Sequence, residues 1–137
     1  MGYYTIFDLK IHKDERPKNY KPIDWESDPF GEEIHGDNPI EVLRNHSEEA
    51  RYAFNEYGNP EDTTKWYQYG EDMIWLSEKY PDIVFKLHGE GEENGDLWDC
   101  YFKNGKVQSC RARIVYDDFD EDELQEPKRL KNGMIVI

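Results

Sequence analysis

The strongest constraint on the fold of this chain is an alternating stretch, residues 97–116, interrupted by Asn104-Gly105. Before the interruption Trp98, Cys100 and Phe102 alternate with Asp99, Tyr101 and Lys103. After it Cys110, Ala112, Ile114 and Tyr116 alternate with Ser109, Arg111 and Arg113. A period of two belongs to half-buried strands, and Asn-Gly tolerates the positive φ values of a tight hairpin turn. Register is the harder question, because a slip of one residue exchanges the faces of a whole strand. A two-residue turn at Asn104-Gly105 opposes Cys100 to Ser109 and puts Cys110 and Ala112 on the face away from Trp98 and Cys100. A three-residue loop, Lys103-Asn104-Gly105 with Gly105 left-handed, restores one apolar face. The pattern predicts this bulged turn, with Cys100 and Cys110 on the same buried side.

The same period recurs in Tyr3 to Ile11, where Thr5, Phe7, Leu9 and Ile11 share a face. It recurs again where Ile83, Phe85 and Leu87 alternate with Val84, Lys86 and His88. Helix signals are local. Asn38 is a natural N-cap, Pro39 suits the first helical position, and Glu41 can close a capping box. That helix, with Ile40 and Leu43 inward, should fail near Asn45 to Ser47. A second helix is predicted over Glu71 to Tyr80. Glu71 and Asp72 sit at its positive end, Met73, Leu76 and Tyr80 lie on one face, and Pro81 stops it. Between the two, Ala50 to Asn55 reads as helix continuation or strand, Tyr57-Gly58-Asn59-Pro60 as a break, and Lys65-Trp66-Tyr67 as a short strand. A hairpin over about 50–68 is the favoured reading.

Lys13 to Asp37 has no period. It holds Pro17, Pro22 and Pro29 with isolated Trp25, Phe30 and Ile34, and is expected to be an irregular insertion whose aromatics pack down in part. Residues 117–126 carry seven acids in ten, Pro127-Lys128-Arg129-Leu130-Lys131 reverses the sign, and the chain ends Met134-Ile135-Val136-Ile137. Those last four residues could add a strand to a sheet edge of this or another chain. The order strand, helix, two short strands, helix, three strands matches a ferredoxin-like βαββαβ plan extended by a C-terminal hairpin. The expected fold is therefore a single α+β domain over 1–137, with an antiparallel sheet and two helices on one face.

Thirty-one acidic residues against 17 basic ones give a formal charge of −14. Nucleic acids and anionic bilayers are held largely by Lys and Arg, so neither is expected as a direct ligand. A basic protein, or the basic nucleic-acid groove of a nucleoprotein, is the expected partner. The start has no signal-peptide pattern and no run of about 18 apolar residues occurs, which points to the cytoplasm and to reduced thiols.

Candidate chemistry is sparse. Gly89-Glu90-Gly91-Glu92-Glu93-Asn94-Gly95-Asp96 places four carboxylates in a glycine-permitted loop, the donor type a hard cation takes, but without EF-hand spacing. His88 beside Glu90 is a conceivable acid–base pair. His12, His35 and His46 form no metal-binding spacing with it, and there is no CxxC. Cys100 lies in an apolar strand beside Asp99, where burial and a neighbouring acid both disfavour the thiolate. Neither a nucleophile elbow nor a phosphate-binding loop is present, so no catalytic residue and no cofactor is assigned. Arg111 and Arg113, with Asp99, Tyr101 and Lys86, are expected on the outer sheet face, a flat docking surface if helices cover only the other side.

Lys65-Trp66-Tyr67, Leu76-Ser77-Glu78-Lys79-Tyr80-Pro81, Phe85-Lys86-Leu87-His88-Gly89-Glu90-Gly91-Glu92-Glu93, Gly95-Asp96-Leu97-Trp98 and Tyr101-Phe102-Lys103-Asn104-Gly105-Lys106, with the opening Gly2-Tyr3-Tyr4, resemble a group of small, mostly uncharacterised proteins of tailed phages and prophages. More remotely the plan is similar to the YubB-type ferredoxin-like domain of plasmids and phages. The likeness covers about half the chain and implies an accessory gene product that acts on host, often defence, machinery. Joined to the charge, it predicts a non-enzymatic inhibitor or accessory factor that mimics nucleic acid. Asp117, Asp118, Asp120, Glu121, Asp122, Glu123, Glu90, Glu92, Glu93 and Asp96 would supply the field, with Trp25 and Phe30 as aromatic anchors. The alternatives are an immunity protein against a basic toxin, and a small-ligand or metal-binding domain or enzyme built on the 89–96 loop with His88.

Overall fold

The structure, a computed structural model, describes residues 2–17 and 38–137. Its elements in chain order are β1 (Thr5–Asp14), α1 (Pro39–His46), α2 (Glu48–Ala53), α3 (Tyr69–Lys79), β2 (Ile83–Gly91), β3 (Leu97–Lys103) and β4 (Lys106–Arg111). A 3-10 turn (Glu121–Glu123) and two short strands, β5 (Lys128–Arg129) and β6 (Ile135–Val136), follow. The first four strands form an antiparallel meander in the order β1-β2-β3-β4, so the class is α+β. The ferredoxin-like βαββαβ arrangement is not the one observed. All three helices among the described residues fall between β1 and β2, and every neighbouring pair in the sheet is antiparallel.

One face of the sheet carries the core. Phe7, Leu9, Phe85, Leu87, Trp98, Cys100 and Phe102 form a single buried cluster with Ile40, Leu43, Ala50, Ala53, Met73 and Leu76 of the helices. The opposite face carries Asp8, Lys86, His88, Asp99, Tyr101 and Cys110 in register across the strands. Asn38 caps α1 as expected, its side-chain oxygen accepting from the Ile40 and Glu41 amides at 3.1 and 3.3 Å. Glu41 pairs with Arg44 instead of closing a capping box.

Several expectations are corrected. β1 runs to Asp14, paired with Ile83, so the first residues of the 13–37 insertion are strand; the rest of it, with Trp25 and Phe30, lies almost wholly outside the described residues. No 50–68 hairpin forms. Ser47 ends α1 and caps α2, its hydroxyl accepting from the Ala50 amide at 3.3 Å, and Lys65-Trp66-Tyr67 is an irregular segment rather than a strand.

The β3–β4 turn is the two-residue one. Asn104 and Gly105 both have positive φ, 46° and 79°, and Lys103 pairs with Lys106. Cys100 therefore opposes Ser109, while Cys110 pairs with Asp99 on the open face. The two thiols are free and on opposite faces, Cys100 buried and Cys110 half-buried. Arg111 correspondingly falls opposite Trp98 on the core side rather than on the open face. The apolar-face argument fails because β4 is an edge strand: Val107, Ser109 and Arg111 point to the helix side yet remain exposed, so burial does not select the register. The twist-matched primed turn does.

Candidate binding surface

The carboxylates of 89–96 divide by use. The Tyr3 hydroxyl donates to Asp96 at 2.5 Å and accepts from the Glu93 amide at 3.1 Å, and the Tyr4 amide donates to Glu92 at 2.8 Å. Arg111 adds an ion pair to Asp96 at 3.4 Å. The hydrogen bond to Asp96 raises the Tyr3 hydroxyl's pKa. Asp96 and Glu92 thus pin the loop to the N-terminal segment, while Glu90 pairs with His88 and the exposed Glu93 is bonded through its amide. Among the described residues no group of three His, Cys, Asp or Glu side chains converges as a metal would need. Tyr3 was not legible as part of this loop, because its contact crosses 93 residues of sequence.

His88 stands on the open face between two acids, with Nδ1 2.7 Å from Asp99 and Nε2 3.2 Å from Glu90. Asp8 lies opposite it on β1, and Lys86 is 3.8 Å from Asp99. Burial depresses the imidazole's pKa, but the hydrogen bonds to Asp99 and Glu90 outweigh it, and the net shift is upward. A raised folded pKa gives stability that is fully present below the unfolded value, about 6.5, and is lost as pH rises through the folded value. The melting temperature of the protein minus that of His88→Gln should therefore be largest on the acid side of that window and shrink above it. A difference that stays flat with pH removes the imidazolium from the account.

The larger surface is the segment after β4. The last hydrogen bond to the sheet is from the Ala112 amide to the Leu97 carbonyl, 2.9 Å, and every residue from 111 to 137 is exposed. Asp120 caps the 3-10 turn, accepting from the Asp122 amide at 3.0 Å. β5 then pairs with β6 around a turn that ends at Gly133, φ 84°. The turn and hairpin flank a cleft of about 610 Å³ between Leu124, Pro127 and Val136. None of the ion pairs among the described residues involves an acid of 117–126. No family model, curated protein or solved structure matches the chain.

Asp117, Asp118, Asp120, Glu121, Asp122 and Glu123 are thus carried on one exposed arm, whose base meets the 89–96 loop where Ile114 lies beside Gly95. The arm is also rich in uncovered apolar side chains: Val115 is 84 % exposed, Tyr116 87 % and Phe119 80 %, with Ile114, Leu124 and Met134 above 60 %. The sequence reading missed these as functional residues by assigning Ile114 and Tyr116 to a buried strand face. The usable signal was that β3, beginning at Leu97, has no residue left to pair beyond Ala112. No helix of the described residues is long and apolar enough to cross a membrane.

Proposed function

We propose that the protein is a non-enzymatic acidic binding protein, an inhibitor or accessory factor of phage type. It would engage a basic host protein or nucleoprotein in the cytoplasm by placing carboxylates where nucleic-acid phosphates bind. The observation that supports this is the interleaving, on one uncovered arm, of seven acids with large apolar side chains. A tail that serves solubility needs the acids alone. Each apolar side chain left in water forgoes about 1.5–3 kcal/mol of burial, which a partner surface can recover. The carboxylates would set the rate and direction of encounter, and the apolar residues the lifetime of the complex. An immunity protein against a basic toxin would use the same chemistry.

The test is a captured partner and a charge-neutralised arm. A basic protein retained from host extract at low salt, then purified, should bind the parent. It should associate about tenfold or more slowly with the variant in which Asp117, Asp118, Asp120, Glu121, Asp122 and Glu123 become Asn or Gln. The gap should close as salt rises. Equal association rates at every salt concentration would remove the acidic block from the contact surface.

A further inference from the structure

Among the described residues the sheet has one partly covered edge and one open one. Along β1 the Thr5 and Thr64 backbones exchange hydrogen bonds at 3.0 and 2.9 Å, and the Leu9 amide donates to Gly58 at 2.9 Å. Among the described residues no strand neighbours the outer side of β4. Since Ala112 bonds inward to Leu97, the alternation of an antiparallel ladder turns the backbone groups of Val107, Ser109 and Arg111 outward. An open edge of this kind is a template for another strand.

We infer that residues 115–120 of a second copy pair antiparallel along β4, each copy lending its arm to the other about a two-fold axis. Three independent features of the chain select this occupant and its register. The first is symmetry. A two-fold axis normal to the sheet keeps every residue on its own face, so only registers whose paired residue numbers sum to an even total are allowed. The second is charge. Registers centred on 111, 112 or 113 oppose arginine to arginine. The one centred on Ile114 opposes Arg111 to Asp117 of the second copy. The Arg111 side chain is 72 % exposed and can keep Asp96 while donating outward.

The third feature is shape. In the same register Phe119 of the second copy falls opposite Ser109, on the helix side of the sheet. There a cleft of about 380 Å³ opens between the first turn of α3 and β3–β4, walled by Tyr67, Tyr69, Ile74, Cys100, Phe102 and Ser109. Phe119 is 80 % exposed in the single chain, and the cleft offers its ring an apolar and aromatic seat. Folding the arm back onto its own β4 would require 112–116 to turn. Arg113-Ile114-Val115-Tyr116 contains no Gly, Pro, Asn, Asp or Ser and favours extended backbone. The exchange leaves Asp118, Asp120 and the C-terminal hairpin free, and it does not rest on the partner proposed above.

Sedimentation equilibrium of the full chain over a concentration series decides it. The parent should be a dimer. Arg111→Glu and Asp117→Arg should each weaken dimerisation about tenfold or more, and the double variant should restore it, since the pair is then reversed rather than broken. Phe119→Ala should give monomer whose unfolding midpoint equals that of the parent diluted until it dissociates, because the ring is 80 % exposed in its own chain and its loss removes the dimer contact alone. A parent that stays monomeric, a dimer indifferent to these changes, or a double variant no better than the singles would overturn the proposal. A monomeric chain whose neutralised arm still loses the captured basic protein would end the exchange and leave the proposed function standing.

Discussion

Trp66→Ala is expected to cost about 3–5 kcal/mol of folding stability, a large share of the roughly 5–15 kcal/mol that holds a domain folded. Trp66 is 2 % exposed and lies in the irregular segment between α2 and α3, two residues beyond the isolated bridge between Thr64 and Thr5. Its ring meets Phe7 edge-on at 5.2 Å, Phe54 at 5.9 Å and Tyr69 at 6.3 Å, so it ties the sheet, the end of α2 and the start of α3 together. Its Nε1 donates to Asp72 at 2.8 Å. Alanine leaves a cavity among rings that cannot collapse onto it and removes the donor from Asp72. Trp66→Phe keeps much of the ring and loses the hydrogen bond, so about 1–2 kcal/mol is expected. Urea unfolding of the three proteins gives both numbers. An alanine variant with a near-parental midpoint would mean that the 54–68 segment is not held by this ring.

What could be read in the sequence follows from where burial enforces a pattern. β2 and β3 bury one face over most of their length and β1 over Thr5, Phe7 and Leu9, and there the alternation gives the faces correctly, while Ile11, expected on the same face, is exposed. α1 and α3 carry their own start and stop signals, Asn38-Pro39 and Pro81. Residues 48–68 resisted because their helix is short and buries small side chains: Ala50 and Ala53 are 0 % exposed, and neither gives a visible amphipathic period. Ala50 to Asn55 read as helix continuation or strand, and Trp66 looked like a strand residue although it is a lone anchor. The β3–β4 register was misjudged for the opposite reason, since nothing covers β4 firmly enough to demand an apolar face. The acids of the arm were visible as composition. That Ile114, Tyr116 and Phe119 stand uncovered beside them required knowing where the ladder ends.

Gly58→Ala should cost at least about 2 kcal/mol, although it adds one methyl group. Gly58 has φ 80°, and a Cβ built on it would lie 1.7 Å from the carbonyl oxygen of Leu9, a fully buried residue in the middle of β1. The turn around it is closely bonded. The Asn55 side chain accepts from the Tyr57 and Asn59 amides at 2.9 and 3.0 Å, and the Gly58 amide donates to the Asn55 carbonyl at 2.9 Å. The backbone clash therefore cannot be relieved by rotating a side chain. Either β1 or the turn must move, and the hydrogen bond from Leu9 to Gly58 is lost with it. Two other glycines separate this clash from the general effect of adding a methyl group. Gly70 opens α3 with nothing within 4 Å of its missing Cβ, so Gly70→Ala should be neutral or stabilising by up to about 1 kcal/mol. Gly133 has φ 84° but open space around it, so Gly133→Ala should show only the modest backbone strain of the β5–β6 turn. Thermal unfolding of the three variants should rank Gly58 far below Gly133 and Gly133 below Gly70. If Gly58→Ala unfolds with the parent, the 55–64 segment does not seal β1, and β4 is then not the one edge through which a second chain can enter the sheet.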